Sequence, residues 1–135
     1  MLLIDTGIFV AVADRDEPHH TACATLLRTR TDLAVTSTVI PEAAWLIETR
    51  LGPAAEARFL MLVTSARFTI IDPIAIDYQR AIELIETYTD LGLGFVDASI
   101  IAIVERRNVT QVATLNHRDF TVVRPAHCDT LELVP

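Results

Sequence analysis

Four carboxylates and one amide fall where a folded chain can gather them. Asp5 follows the apolar run Leu2-Leu3-Ile4 and precedes Thr6-Gly7-Ile8-Phe9-Val10, and Glu42 sits in the first turn of an amphipathic stretch beginning near Val39. Asp97 heads the apolar stretch Ala98 to Glu105, and Asn116 and Asp119 follow Gln111-Val112-Ala113-Thr114-Leu115. Each has a local explanation: Asp5 and Asp97 suit helix caps, Glu42 complements a helix dipole, and Asn116 and Asp119 suit a turn. Asp97 strains its explanation, because Phe95, Val96, Ile100 and Ile101 surround it and an isolated carboxylate in apolar surroundings is costly. The coincidence outweighs the caps taken singly, since several acids separately fall at strand exits or helix entries. Carboxylates packed together repel, and a hard divalent cation with oxygen ligands, Mg²⁺ or Mn²⁺, relieves that repulsion. Such a cation serves phosphoryl transfer.

The elements that must position these groups read as alternating strands and helices. Short apolar, branched runs at Leu2 to Ile4, Leu33 to Val35, Phe68 to Ile71, Gln111 to Ala113, Val122 to Val123 and Leu131 to Val134 read as strands. Helical spacing marks Ala22 to Leu27, Val39 to Arg50, Ala54 to Ser65, Tyr78 to Tyr88 and Ala98 to Glu105. In the fourth of these, Tyr78, Ala81, Ile82, Ile85 and Tyr88 form the inward stripe, with Gln79, Arg80, Glu83 and Glu86 outward. Leu51-Gly52-Pro53 joins the second and third helices into a hairpin. Parallel strands need crossover connections, so the expected fold is a three-layer α/β/α sandwich around a mostly parallel sheet. Ligands of such sheets bind beyond the carboxyl ends of the strands, where the acids stand.

Composition narrows the classes. A chain of 135 residues with 51% hydrophobic residues reads as one folded domain over 1–135. No apolar run approaches the roughly 18 to 20 residues of a membrane span, and Asp5 interrupts any leader-like start, so a soluble cytoplasmic protein is expected. Cys23 and Cys128 are far apart, without the spacing of a zinc site, and are expected to be core thiols. All eleven basic residues are arginine, and the net charge of −7 disfavours passive binding of polyanions. One bound Mg²⁺ would reduce that charge to −5 and two to −3, with the positive charge placed where a phosphate must sit. Arg15, Arg106, Arg107 and Arg118 lie near the acidic segments in sequence, either to bind phosphate or as solvated surface charge.

Other signals carry less. The adjacent His19 and His20 point apart on a helix, and His117 and His127 read as surface or capping groups. Gly92-Leu93-Gly94 lacks the third glycine of a dinucleotide fingerprint, and no phosphate-binding loop motif occurs. Trp45, Phe59 and the remaining aromatics have the spacing of core or interface residues, not of a stacking platform for RNA.

Four segments together carry a family resemblance: Ile4-Asp5-Thr6-Gly7, Pro41-Glu42-Ala43, Gly92-Leu93-Gly94-Phe95-Val96-Asp97-Ala98-Ser99, and Ala113-Thr114-Leu115-Asn116-His117-Arg118-Asp119-Phe120. From Met1 to about Pro125 the chain resembles a PIN-domain ribonuclease, and within that family the VapC toxins of bacterial toxin-antitoxin pairs. The resemblance implies an α/β/α fold, acidic residues that bind Mg²⁺ or Mn²⁺, cleavage of RNA, and inhibition by a cognate VapB-like antitoxin. It gives Asp5, Glu42 and Asp97 the three principal acidic roles. Some members carry aspartate where this chain has Asn116, whereas others carry asparagine there and an acid three residues later; Asp119 matches the second pattern. Gly7 departs from the serine often found beside the first aspartate, leaving Thr6 as the available hydroxyl.

These readings combine into one expected mechanism. Asp5 and Asp97 hold the principal metal ion, and Glu42 and Asp119 complete its outer shell or hold a second ion. Water attacks the phosphodiester, leaving 5′-phosphate and 3′-hydroxyl ends. Two other functions fit the same fold: an RNA-processing nuclease of this kind without an antitoxin, and a catalytically silent protein-binding module. Surplus apolar helical surface also implies a two-fold homodimer.

Overall fold

Leu2, Leu3 and Ile4 have no exposed face, and a strand buried on both sides must lie inside a sheet covered above and below. The computed structural model describes residues 1–135 and places this strand, β1 (Leu2–Ile4), at the centre of five. The other strands are β2 (Leu33–Thr36), β3 (Phe68–Ile71), β4 (Gln111–Ala113) and β5 (Glu132–Val134), in the order β3-β2-β1-β4-β5. Every neighbouring pair is parallel. The chain winds outward from β1 through β2 to β3, then crosses back to β4 on the other side of β1. That reversal opens a crevice at the carboxyl ends of β1 and β4.

Seven helices cover the sheet: α1 (Thr6–Ala13), α2 (His20–Thr29), α3 (Val39–Leu51), α4 (Pro53–Val63), α5 (Ala75–Thr87), α6 (Phe95–Arg107) and α7 (His117–Val122). Helix α1 packs against α2, α3 and α4, whereas α5 packs against α6. Gly52, at φ 87°, makes the corner between α3 and α4, and Pro53 then starts α4 where no amide donor is needed. Helix α6 is buried continuously from Ala98 to Val104, each large aliphatic side chain contributing roughly 1.5–3 kcal/mol. It ends at Asn108, whose φ of 53° turns the chain towards β4. Phe9 of α1 meets Phe59 of α4 edge-on at 5.1 Å, which fixes the hairpin against α1.

The structure corrects several expectations. Val122 and Val123 are not a strand: Val122 ends α7 and Val123 caps it, with Phe120 and Val123 buried one turn apart. Two β-branched residues are too few to override a helix anchored by that pair. Helix α6 begins at Phe95, so Gly94 is its cap and Asp97 lies inside the first turn. The inward stripe of α5 is Asp77, Ala81 and Leu84, leaving Tyr78 and Ile82 exposed. Apolar residues occur all round this helix, so its pattern left the orientation open. The helix turns Asp77 inward, where it meets Arg106 at 2.9 Å and caps the helix start by accepting from the Ile74 amide. Trp45 is 63% exposed and therefore not core, and Cys128 is only half-buried. No helix is long and apolar enough to cross a membrane.

Candidate active site

Asp5 is the first residue after β1, and its side chain does two jobs. One oxygen accepts from the Thr6 amide at 2.7 Å, capping α1, and the other accepts from the Thr114 hydroxyl at 2.8 Å. Thr114, the first residue after β4, also accepts from the Asn116 amide at 2.9 Å. One carboxylate therefore ties together the ends of the two strands that flank the crevice. Asp5 is almost fully buried, and burial is the chief reason its carboxyl is pushed above 3.8; the two hydrogen bonds oppose that push, and the charge of Glu42 adds to it.

The expected companions arrive from other elements. Glu42 projects half-buried from the first turns of α3, and Asp97 from the first turn of α6. A relay of hydroxyls sets these two helices relative to each other: Thr36 at the end of β2 meets Thr38 at 2.8 Å, and Thr38 meets Ser99 of α6 at 2.7 Å. Ser99 gives its proton to the Val96 carbonyl, so Thr38 must donate to Ser99 and Thr36 to Thr38. Asn116, at the start of α7, donates its side-chain amide to Asp97 at 3.2 Å and to Asp119 at 2.9 Å. Arg118 approaches the other oxygen of Asp119 at 3.0 Å.

Asp5, Glu42, Asp97 and Asn116 line one cavity of about 490 Å³, together with Thr6, Gly7, Leu46, Arg50, Leu115 and Glu17 among others. Asp119 does not line it and reaches it only through the Asn116 amide. The electrostatics follow from this crowding. Burial, then the charges of Asp5, Asp119 and Glu42, push Asp97 from 3.8 to about 7, against the hydrogen bond from Asn116. Asp119 goes the other way, lowered by the Asn116 amide and by Arg118.

The carboxylates share a cavity without closing into a ligand cluster: no group of three or more His, Cys, Asp or Glu side chains is arranged to hold a metal ion. Asp5 accepts from Thr6 and Thr114, each oxygen keeping a further lone pair, and Asp97 and Asp119 both turn towards Asn116. The donor set nonetheless fits a hard cation, being carboxylate and amide oxygens with no sulfur or imidazole around the cavity. Thr6 Oγ1 is buried there with no hydrogen-bond partner, and burial followed by the charges of Asp5, Asp119 and Glu42 makes the Asp97 carboxyl a weaker acid than usual.

None of the arginines near the acidic segments in sequence lines the cavity. Arg106 pairs with Asp77, Arg118 with Asp119, Arg15 lines a separate apolar groove beside Phe9 and Phe59, and Arg107 lies near Met1 at the opposite end of the sheet. The arginine that does line the cavity is Arg50, at the far end of α3, and with Glu17, Thr114 and the hydroxyl relay it was missed. Its one sequence signal is its spacing, eight residues after Glu42 through Leu46, which keeps all three on one helix face. The histidines stay outside the site: His20 contacts the Ala11 carbonyl, His127 contacts that of Val109, and His19 and His117 are exposed.

A five-stranded parallel sheet with acidic side chains gathered at its switch point defines an α/β/α domain of the nuclease-like kind. Residues 2–124 match the PIN domain family, and the chain belongs to that family. It is 27% identical over 135 residues to ribonuclease VapC26 of Mycobacterium tuberculosis (strain ATCC 25618 / H37Rv), covering 99% of this chain and 100% of that protein. Its fold is similar to that of VapC20 of M. tuberculosis, a sarcin-ricin loop cleaving toxin, with a TM-score of 0.78 and 18% identity over 83% of this chain and 87% of that one. It is also similar to a structure of VapBC2 from Rickettsia felis bound to a DNA fragment from its promoter, with a TM-score of 0.71 and 20% identity over 99% of this chain and 98% of that one.

Proposed function

We propose that this chain is a metal-dependent endoribonuclease that hydrolyses RNA phosphodiester bonds, and that it acts as the toxin of a toxin-antitoxin pair with a VapB-like antitoxin as its inhibitor. The observation that carries the chemistry is the meeting of Asp5, Glu42 and Asp97, from three different elements, around one cavity at the β1–β4 crevice. Family membership and the likeness to ribonuclease VapC26 along its whole length support the substrate class and the pairing with an antitoxin.

In this reading Asp5 and Asp97 hold the principal Mg²⁺ or Mn²⁺ ion, and Glu42 and Asp119 complete its outer shell or hold a second. When bound, the cation makes water acidic enough to attack phosphorus and offsets charge growing on the phosphoryl oxygens. The protein supplies orientation. Thr114 and the Thr6 amide fix the Asp5 carboxylate, the Asn116 amide holds Asp97 and Asp119 at a common donor, and the Thr36-Thr38-Ser99 relay sets the helix of Glu42 against that of Asp97. Water adds to phosphorus, the bond to the 3′ oxygen breaks, and that oxygen takes up a proton. The products are 5′-phosphate and 3′-hydroxyl ends, without a side-chain nucleophile.

A two-fold homodimer through the outer face of α5 fits the exposed Ile74, Ile76, Tyr78 and Ile82, with Tyr78 stacked on Phe95 at 5.7 Å. The test of the activity is cleavage of total cellular RNA with Mg²⁺ or Mn²⁺ against EDTA, with mapped ends. Cleavage that needs the cation, and that Asp97→Asn abolishes, supports the proposal. Cation-independent cleavage or 2′,3′-cyclic phosphate ends would refute the mechanism, and an inert protein would favour a silent binding module.

A further inference from the structure

We infer that Arg50 grips a backbone phosphate of the RNA strand roughly three to four nucleotides from the scissile bond, an inference that rests on the endoribonuclease reading above. The cavity that begins at Asp5, Asp97 and Asn116 continues past Glu42 and Leu46 to Arg50. Glu42 and Arg50 share a face of α3 and are separated by about 12 Å along its axis. Stacked nucleotides advance by about 3.4 Å each, which sets the distance from the bond being cut.

Several observations single out this arginine. None of the other ten arginines lines the cavity. Arg30, Arg80, Arg106 and Arg118 are committed to ion pairs, whereas Arg50 makes neither an ion pair nor a side-chain hydrogen bond. Even Glu17, which lines the same cavity, stands beyond ion-pair distance from it. A basic residue in the last turn of α3 complements the carbonyl end of that helix, which explains a cation there but not its place on the face of Glu42. A strand leaving the carboxylates in a chain of net charge −7 meets one positive side chain in the cavity, and a guanidinium fork suits phosphate.

The experiment is steady-state cleavage, with Mn²⁺, of oligoribonucleotides from two to about eight nucleotides centred on a cut mapped in total RNA. On the longest substrates Arg50→Gln is expected to raise KM roughly tenfold with kcat changed less than about twofold, as loss of one charged phosphate contact implies. The loss fades as the oligonucleotide is shortened, the salt dependence of KM drops by about one phosphate contact, and Arg50→Lys recovers much of the loss. An equal effect at every length would overturn the inference, since it would signal a general disturbance of the site. No effect at any length would also overturn it, including the case in which Arg50→Gln weakens inhibition by the cognate antitoxin instead, which would make Arg50 a protein contact. Wild-type cleavage indifferent to Arg50 defeats this inference alone, whereas a wild type that cuts no RNA defeats the endoribonuclease reading and this inference with it.

Discussion

Asp97 is costly to the cation-free protein, and replacing it with asparagine exposes how costly. Its carboxyl is driven from 3.8 to about 7 by burial and by the charges of Asp5, Asp119 and Glu42. Between about pH 4 and pH 7 the folded protein therefore keeps a proton that the unfolded chain releases. Stability contributed at this position falls as pH rises through that window, and the full penalty is in force above it. Taking a tenfold change in acidity as about 1.4 kcal/mol, the penalty has a ceiling of roughly 4 kcal/mol. Asp97 is only partly buried and solvent screens it, which brings the expected value to about 1–2 kcal/mol. Asp97→Asn removes the charge, keeps the shape and still accepts from Asn116. Thermal unfolding followed by circular dichroism in EDTA should show the variant melting about 3–6 °C above wild type at pH 8, with the advantage vanishing near pH 4. Added Mn²⁺ should reverse the order, because wild type gains binding energy that the variant loses. A variant no more stable than wild type at pH 8, or an advantage that ignores pH, would refute the electrostatic reasoning.

Three further outcomes follow from named contacts. Arg106→Met leaves Asp77, 2% exposed, as a buried charge without its partner, and urea unfolding should register a loss of roughly 3 kcal/mol. Thr114→Val removes the hydroxyl that holds Asp5 and accepts from the Asn116 amide, so stability should drop by about 1–2 kcal/mol and Mn²⁺ affinity, read by calorimetry, should weaken. Ile82→Glu places a charge in the exposed apolar stripe of α5; if that stripe is the dimer contact, size-exclusion chromatography with light scattering should show a monomer.

The sheet was legible because fully buried parallel strands read as short apolar runs with helical segments between them, as Leu2–Ile4 and Leu33–Thr36 do. The acids were legible because strand exits and helix entries are marked by the same runs. What failed was orientation around a helix. Apolar residues cover α5 on all sides, so only the tertiary pairing of Asp77 with Arg106 decides which face turns inward. Closeness in sequence left Arg106 and Arg118 open between phosphate and surface charge, and in the fold their charges are taken up by Asp77 and Asp119. Arg50 escaped notice for the opposite reason: two helical turns separate it from Glu42, yet the helix returns it to the same cavity. The hydroxyl relay joins residues 61 positions apart, which no local pattern encodes.

The central claim is that Asp5, at the exit of β1, and side chains from α3 and α6 share a cation. Anomalous diffraction from crystals soaked in millimolar Mn²⁺ tests it without reference to activity. The expected map has a manganese peak in the β1–β4 crevice, with oxygens of Asp5 and Asp97 drawn in to direct coordination at about 2.0–2.2 Å. A crevice without a peak, with Asp5 still bound to Thr114 and Asp97 still turned to Asn116, would contradict it.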